Sequence, residues 1–340
     1  MRFRKLKKIG AVVCAFALIV TASLTPAAAA DRLIPGGMPF GVKLCCEGVL
    51  VIGVGDVDTM AGKKSPARDA GIKPRDVIVG INGKTIASAE DVVSAVDGSA
   101  GDRLSFDLRR GADALTVEVI PVESREKKLR TGLWVRDSTA GIGTVTFIDP
   151  ATGAFAGLGH GICDSDTGEL MPLKRGVVVD VTISGIVKGQ AGAPGELKGY
   201  FSSGKTGSLI GNTECGVFGV FSKMPAEAEG IGMPVADSSE IKEGEAELFC
   251  TLDSEGRKRY KVTLSDIDHS GRDVKNFVVT VTDPKLLDKT GGIVQGMSGS
   301  PIVQNGKIVG AVTHVMIGDP SRGYGIFITN MQRKMPAVIS

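Results

Sequence analysis

Ser298 stands in a turn of small residues, Gly296-Met297-Ser298-Gly299-Ser300-Pro301, with glycine close on both sides. The glycine-rich stretch Thr290–Gln295 leads into it, and the apolar run Ile302–Thr313 that follows reads as two strands around Asn305-Gly306. A serine hydroxyl is a weak nucleophile until a neighbouring base takes its proton. The chain holds three histidines. His160 lies among glycines in Gly157-Leu158-Gly159-His160-Gly161, where the ring is accessible. His269 sits in the polar turn Asp268-His269-Ser270-Gly271, which reads as solvated. His314 follows Thr313 on a strand, and alternation sends the two to opposite faces, so a site faced by Thr313 is not faced by His314. His160 is therefore the expected general base. The backbone N–H groups of Gly296 and Ser298 are the expected donors to an oxyanion, and the chemistry is acyl transfer. A carboxylate behind the imidazole completes the set: Asp283, in Val281-Thr282-Asp283-Pro284, competes with Asp164, Asp180 and Asp266, and spacing does not select among them. The plain alternative is an ordinary Gly/Ser turn joining two strands.

The elements that must hold these groups are mostly strands. From Thr131 onward short apolar runs alternate with glycine, as in Gly143–Ile148, Val177–Ile186, Cys215–Phe221, Ala246–Leu252 and Phe277–Val281. That pattern predicts an all-β sandwich or barrel. Residues 39–122 are mixed α+β. Gly48–Val54 is a β-type run, Ser65-Pro66 opens a short helix closed by Gly71, and Asp76–Ile81 runs into an Asn82-Gly83 turn. Ser88 caps a helix to Val96, with Asp91 three positions on and Val92, Val93 and Val96 on its apolar face. Leu104–Arg109 and Leu115–Ile120 form a hairpin. Residues 31–38 read as an extended lead-in, 123–131 as a charged, solvated linker and 132–340 as the domain that carries the chemistry.

At 340 residues two folded domains are expected, and aromatic content of 5% beside 47 glycines fits turn-rich β structure. The formal charge is +2, but Arg2, Arg4, Lys5, Lys7 and Lys8 lie in the first thirty residues, and without them 35 basic residues face 38 acidic ones. No basic stripe remains, which argues against a nucleic-acid-binding class. The basic start, the apolar run Ile9–Leu24 and the small residues Pro26–Ala30 mark residues 1–30 as a cleaved signal peptide or, second, an uncleaved membrane anchor. Five cysteines lie beyond that segment, an odd and irregular set with room for one bridge at most outside the adjacent pair Cys45-Cys46. No metal-ligand spacing occurs, so neither metal nor cofactor is expected.

Two resemblances sharpen this reading. Ser65-Pro66-Ala67, Ala70–Ile78 and Ile81-Asn82-Gly83 resemble a PDZ domain of the kind attached to exported proteases. The resemblance implies a groove between one strand and the Ser88–Val96 helix that accepts an extended peptide as an added strand. Its carboxylate-binding loop is best matched by Pro39-Phe40-Gly41-Val42, so Phe40, Gly41 and Val42 are the expected peptide-binding residues. A segment of the same chain is an alternative ligand, and a packing module with a vestigial groove is the plain reading.

Nearly the full length is similar to the stage IV sporulation protein B family of sporulation serine peptidases. The motifs that carry this are Gly157–Gly161, Pro194-Gly195-Glu196-Leu197-Lys198-Gly199, Asp283-Pro284 and Gly291–Pro301. The resemblance implies a chymotrypsin-like double barrel, a triad of His160, Asp283 and Ser298, and a further functional position at Thr313, whose hydroxyl we expect to bond the triad aspartate. It also implies export into the space between the forespore membranes, self-cleavage, and cutting of a membrane-bound regulator of an intramembrane protease, which releases a late mother-cell sigma factor. A non-catalytic PDZ adaptor is the second hypothesis and a structural protein of the spore envelope the third. Pancreatic-type proteases carry aspartate before the serine, where it pairs with a new N-terminus on activation. Met297 stands there instead, so activation works differently, and control by the PDZ domain is expected.

Overall fold

The computed structural model describes residues 32–228 and 232–337. The expected signal segment lies outside the described residues. The fold is mainly β, with a PDZ domain beside two barrels.

The first barrel is a ring of six antiparallel strands: Pro39–Val54, Leu133–Ile148, Ala154–Gly157, Gly216–Phe221, Glu196–Thr213 and Leu173–Val187, the last pairing back onto the first. Its core holds Leu44, Val145, Phe155, Val178 and Val217, all at most 1% exposed. The second barrel also has six strands: Gly244–Thr251, Arg257–Ser265, Phe277–Val281, Asp319–Phe327, Lys307–Met316 and Pro301–Gln304. Leu248, Leu264, Phe277 and Val279 fill it. The glycine-split apolar runs thus become curved, closed strands, and closure removes the exposed edges a flat sheet would leave.

The PDZ domain is built into the first barrel. Two 16-residue strands run through both bodies. Pro39–Cys45 pairs with Ser138–Thr144 in the barrel, and Leu50–Val54 pairs with Leu133–Arg136 beyond it. Between Arg136 and Ser138 the register shifts, leaving Cys46–Val49 of one strand opposite Asp137 alone. Gly48, at φ +80°, lies in this irregularity. The chain therefore enters the PDZ domain and leaves it along one ladder. No break falls at residue 39, and the expected lead-in is a strand: Arg32–Pro35 pairs with Phe147-Ile148 and with Met233-Pro234.

This pairing overturns the expected carboxylate loop. Phe40 is 2% exposed, with its ring edge-on to Phe155 at 5.6 Å between centroids. Gly41 faces Ile142 and Val179, and Val42 is 2% exposed. All three lie inside the barrel ladder, where their N–H groups serve strand pairing. The physical reason is that Phe40–Cys45 finds partners on both sides in the barrel.

The rest of the PDZ domain follows its sequence. Ser88 and Asp91 form the capping box at the head of Ala89–Asp97, and Val92 and Val96 are buried against Ile78, Phe106 and Leu108. Asn82 and Gly83 take positive φ in the turn after Val77–Ile81. Ser65 makes no cap bond and donates instead to Asp56. Val93 stays half outside and, with Val92, Val96, Leu133 and Trp134, lines a groove of about 780 Å³. The linker is part of its wall: Val122-Glu123 pairs with Leu129-Arg130, and Arg125 and Leu129 face the groove.

The five described cysteines are unpaired. Asp76 is fully buried and accepts two bonds from Arg110, both at 2.7 Å, and one from the Lys73 N–H at 2.9 Å. Arg110 keeps water on its outer side, so Asp76→Ala is expected to cost about 2 kcal/mol, below the ~3–5 of a fully buried pair. The midpoint of urea unfolding measures it, and an unchanged midpoint would contradict this account.

Candidate active site

The serine turn begins where the helix Pro284–Thr290 ends. Asp283 caps that helix and Gly291 closes it at φ +73°. The chain then runs through Ile293, Val294 and Met297, all at most 2% exposed, to Ser298. Gly296 and Gly299 take φ of +96° and +95°, which only glycine adopts without strain. A side chain at Gly299 would also meet Thr144 O at 2.0 Å and Leu158 N at 2.4 Å. Besides leaving Ser298 open, this glycine lets the turn approach the first barrel.

That approach is fastened by hydrogen bonds across the two barrels. Thr144 donates from Oγ1 to Gly296 O at 2.8 Å and from its N–H to Ser298 O at 2.9 Å. Thr146 Oγ1 donates to Gly299 O at 2.8 Å. Within the second barrel, Gly299 N–H donates to Val312 O at 2.7 Å. Among the described residues, neither the Gly296 N–H nor the Ser298 N–H donates to a protein acceptor. These are the two groups the sequence names for an oxyanion. Ser300, two residues on, is fully buried and its hydroxyl has no partner among them.

His160 comes from the facing barrel. Leu158 and Gly159, at φ +66° and +67°, kink the chain after the strand Ala154–Gly157, and Gly159 rests on the Thr313 methyl. The His160 Nδ1 lies 2.9 Å from Gly161 O. A carbonyl only accepts, so this bond places the proton on Nδ1 and leaves the Nε2 lone pair free. Burial pushes the His160 pKa below the ordinary imidazole value, and the bond to the Gly161 carbonyl partly opposes the shift. A base with these properties is neutral at physiological pH.

Ser298 and His160 both reach the strand Lys307–Met316. Ser298 Oγ donates to Thr313 O at 2.6 Å, and the His160 ring lies 4.6 Å from the His314 ring at an interplanar angle of 36°. The two expected partners do not bond each other here, and the serine proton rests on a carbonyl instead.

His314 departs from its sequence reading. The register with the neighbouring strand shifts between Val312 and His314, so strict alternation fails at Thr313 and the His314 ring meets His160. Desolvation, with His160 and Lys275 nearby, pushes the His314 pKa down to about 4. Thr313 is 1% exposed, and its hydroxyl donates to Tyr324 O at 3.1 Å rather than to an aspartate.

The carboxylates lie elsewhere. Asp283 accepts from the Lys285, Leu286 and Lys261 N–H groups, at 2.9, 3.4 and 3.2 Å, as a helix cap that also ties down the neighbouring strand. Asp164 is held by Arg136 and by the N–H groups of Asp166 and Thr167. Asp266 lies 3.8 Å from Arg322. Among the described residues no carboxylate bonds to His160, whose ring is oriented by the Gly161 carbonyl and the His314 face. His269 stacks on Phe327 at 5.6 Å. Thr144 and Thr146 escape sequence reasoning because a threonine on a β-run carries no local signal of a bond some 150 residues away.

The lowered pKa fixes the sign of a pH effect. A base below the ordinary value of 6.5 stays neutral to lower pH. The rate of Ser298 modification by a fluorophosphonate is expected to hold to below pH 6.5 and then fall. An inflection above pH 7 would show a carboxylate partner instead.

Residues 127–332 match the SpoIVB peptidase S55 family, and residues 57–110 match the PDZ domain family. Human serine protease HTRA4 is 47% identical over 55 residues, which are 16% of this chain and 11% of that protein. The chain thus spans about a tenth of that relative's length. The PDZ domain of the SdrC-like protein from Listeria monocytogenes covers 26% of this chain and 87% of its own, at 20% identity and a TM-score of 0.22. Inactive Ser343Ala Rv3671c from M. tuberculosis covers 58% and 84%, at 13% identity and a TM-score of 0.29. Both scores are too low to establish a shared fold. The match over 127–332 spans more than half of the sequence and contains Ser298, His160 and the turn between the barrels: the chain belongs to the SpoIVB peptidase S55 family, a family of serine peptidases, and carries a PDZ domain within it.

Proposed function

We propose that this chain is a serine endopeptidase in which Ser298 is the nucleophile and His160 the general base. The observation that carries the reading is a turn that presents the Ser298 hydroxyl with the Gly296 and Ser298 N–H groups, neither of which has an acceptor among the described residues. Beside it runs a strand where Ser298 bonds Thr313 O and the next residue, His314, meets an imidazole whose Nε2 lone pair is free. In the reaction the Ser298 side chain swings from Thr313 O toward His160. Its oxygen bonds the scissile carbonyl carbon as Nε2 takes the proton, and the carbonyl oxygen becomes an anion held by the two N–H groups. Collapse breaks the C–N bond, and His160 returns the proton to the leaving amine. Water then repeats the sequence on the acyl-enzyme.

Family membership supports the wider reading. The chain is exported, held near the forespore membrane or free between the two membranes. It cleaves itself and then a membrane-bound regulator of an intramembrane protease, and so signals to the mother cell for release of a late sigma factor. The groove beside Ala89–Asp97 takes an extended peptide, from that regulator or from this chain. The second reading, a PDZ adaptor without activity, draws on the absence of a bond between Ser298 and His160.

A fluorophosphonate separates the two readings. The wild type is expected to label and Ser298→Ala not to label; a wild type that stays unlabelled at every pH returns the adaptor. Asp283 needs its own test, because asparagine caps a helix about as well as aspartate. Asp283→Asn is expected to keep its melting temperature and to label within about tenfold of the wild-type rate. A loss of about 10⁴, the scale seen when a triad carboxylate is neutralised, would mean that Asp283 turns to His160 in the competent form.

A further inference from the structure

The motif Pro194–Gly199 has no part in the chemistry above, yet it touches the serine turn. The first barrel's longest hairpin, Leu173–Val187 with Glu196–Thr213, reaches across to the second barrel. Its connecting loop lies along Thr290–Gln295. Gly189 N–H donates to Thr290 O at 2.8 Å, and Gly192 N–H donates to Ile317 O at 2.8 Å. At the end of the loop Glu196 and Gln295 form a parallel bridge: Gln295 N–H donates to Gly195 O, and Leu197 N–H donates to Gln295 O, both at 2.8 Å. The Leu197 side chain is 6% exposed, sits in the second barrel's core and lies against Gly296.

The second of these bonds has a geometric consequence. No cis peptide occurs among the described residues, so the Gln295–Gly296 unit is planar and trans. Its C=O and its N–H therefore point in opposite directions. With Gln295 O held by Leu197, the Gly296 N–H is turned away from the hairpin, and it has no protein acceptor. Were this peptide to rotate by half a turn, the N–H would face the hairpin and the anion site would lose one of its two donors.

Resting on the peptidase reading, we infer that the Gly195–Leu197 segment is the latch that sets the oxyanion site, with the Leu197 N–H as the positioning group. It does what an aspartate and a new N-terminus do in pancreatic-type enzymes, the ion pair that Met297 rules out. The latch is carried on a hairpin of the other barrel, so the anion site forms only when the two barrels are docked and that hairpin is seated. Leu197 acts through the Gln295–Gly296 peptide, whose C=O its N–H holds, while Gly195 O holds the N–H of Gln295 on the preceding peptide.

Replacing Leu197 in the full chain by its α-hydroxy acid removes this one N–H and keeps the side chain. The expected result is a fall of about a hundredfold in fluorophosphonate labelling, the scale of one lost oxyanion donor. Amide hydrogen exchange across 291–300 is expected to rise, with little change in melting temperature. Leu197→Pro, compared at equal folded fraction, is expected to lose as much or more. Labelling at the wild-type rate in the ester variant overturns the latch. If even the wild type fails to label, the peptidase reading fails instead, and exchange alone judges the latch: faster exchange across 291–300 supports it, and unchanged exchange overturns it.

Discussion

The close approach of Gly299 to Thr144 and Leu158 is the constraint on which the site depends. Ser298 and His160, the proposed nucleophile and base, lie in different barrels, whose apolar interiors meet where Phe147, Ala156 and Phe218 of the first pack with Ile308, Ala311 and Ile326 of the second and where Leu197 enters the second core. At the serine turn, on the seam between them, the absence of a side chain at Gly299 lets two backbones come within bonding reach. Two threonine hydroxyls and one backbone N–H then fix the serine turn from the far side. Each such bond contributes about 1 kcal/mol. That is modest for stability, but directional, and direction is what an anion site requires.

The seam also accounts for the resting state. The serine hydroxyl donates to a carbonyl of its own barrel, so its proton is satisfied without the base. The imidazole is likewise satisfied, by Gly161 on its protonated nitrogen and by a second ring on its face. Both partners are held in place and neither is committed. Under the proposed reading Ser298 has to turn from Thr313 O toward His160, while the backbone of its turn is tied to both barrels.

Local chemistry was legible in the sequence, and long-range pairing was not. Ser88 with Asp91, Asn82-Gly83 and Asn305-Gly306 announce themselves because cap and turn preferences act over three or four residues. The glycine spacing around Ser298 and His160 was likewise readable, since positive φ leaves a mark on composition. Phe40-Gly41-Val42 misled because a short glycine-containing segment looks alike in a loop and in a tightly packed strand, and only the neighbours on both sides decide. His314 misled because one bulge cancels the alternation on which its dismissal rested. Asp283 keeps two readings because a carboxylate before proline suits a helix cap as well as an imidazole, and in this structure the cap holds it.

The shared strands carry a further meaning. A domain hung on a flexible tether passes only its concentration to its neighbour, whereas two continuous strands pass on displacement. A peptide wedged beside Leu133 would push on the same ladder that, eleven residues along, presents Thr144 to the serine turn. The PDZ domain is in this sense less an attachment than the expanded tip of a barrel hairpin, with the joint already built in at Asp137.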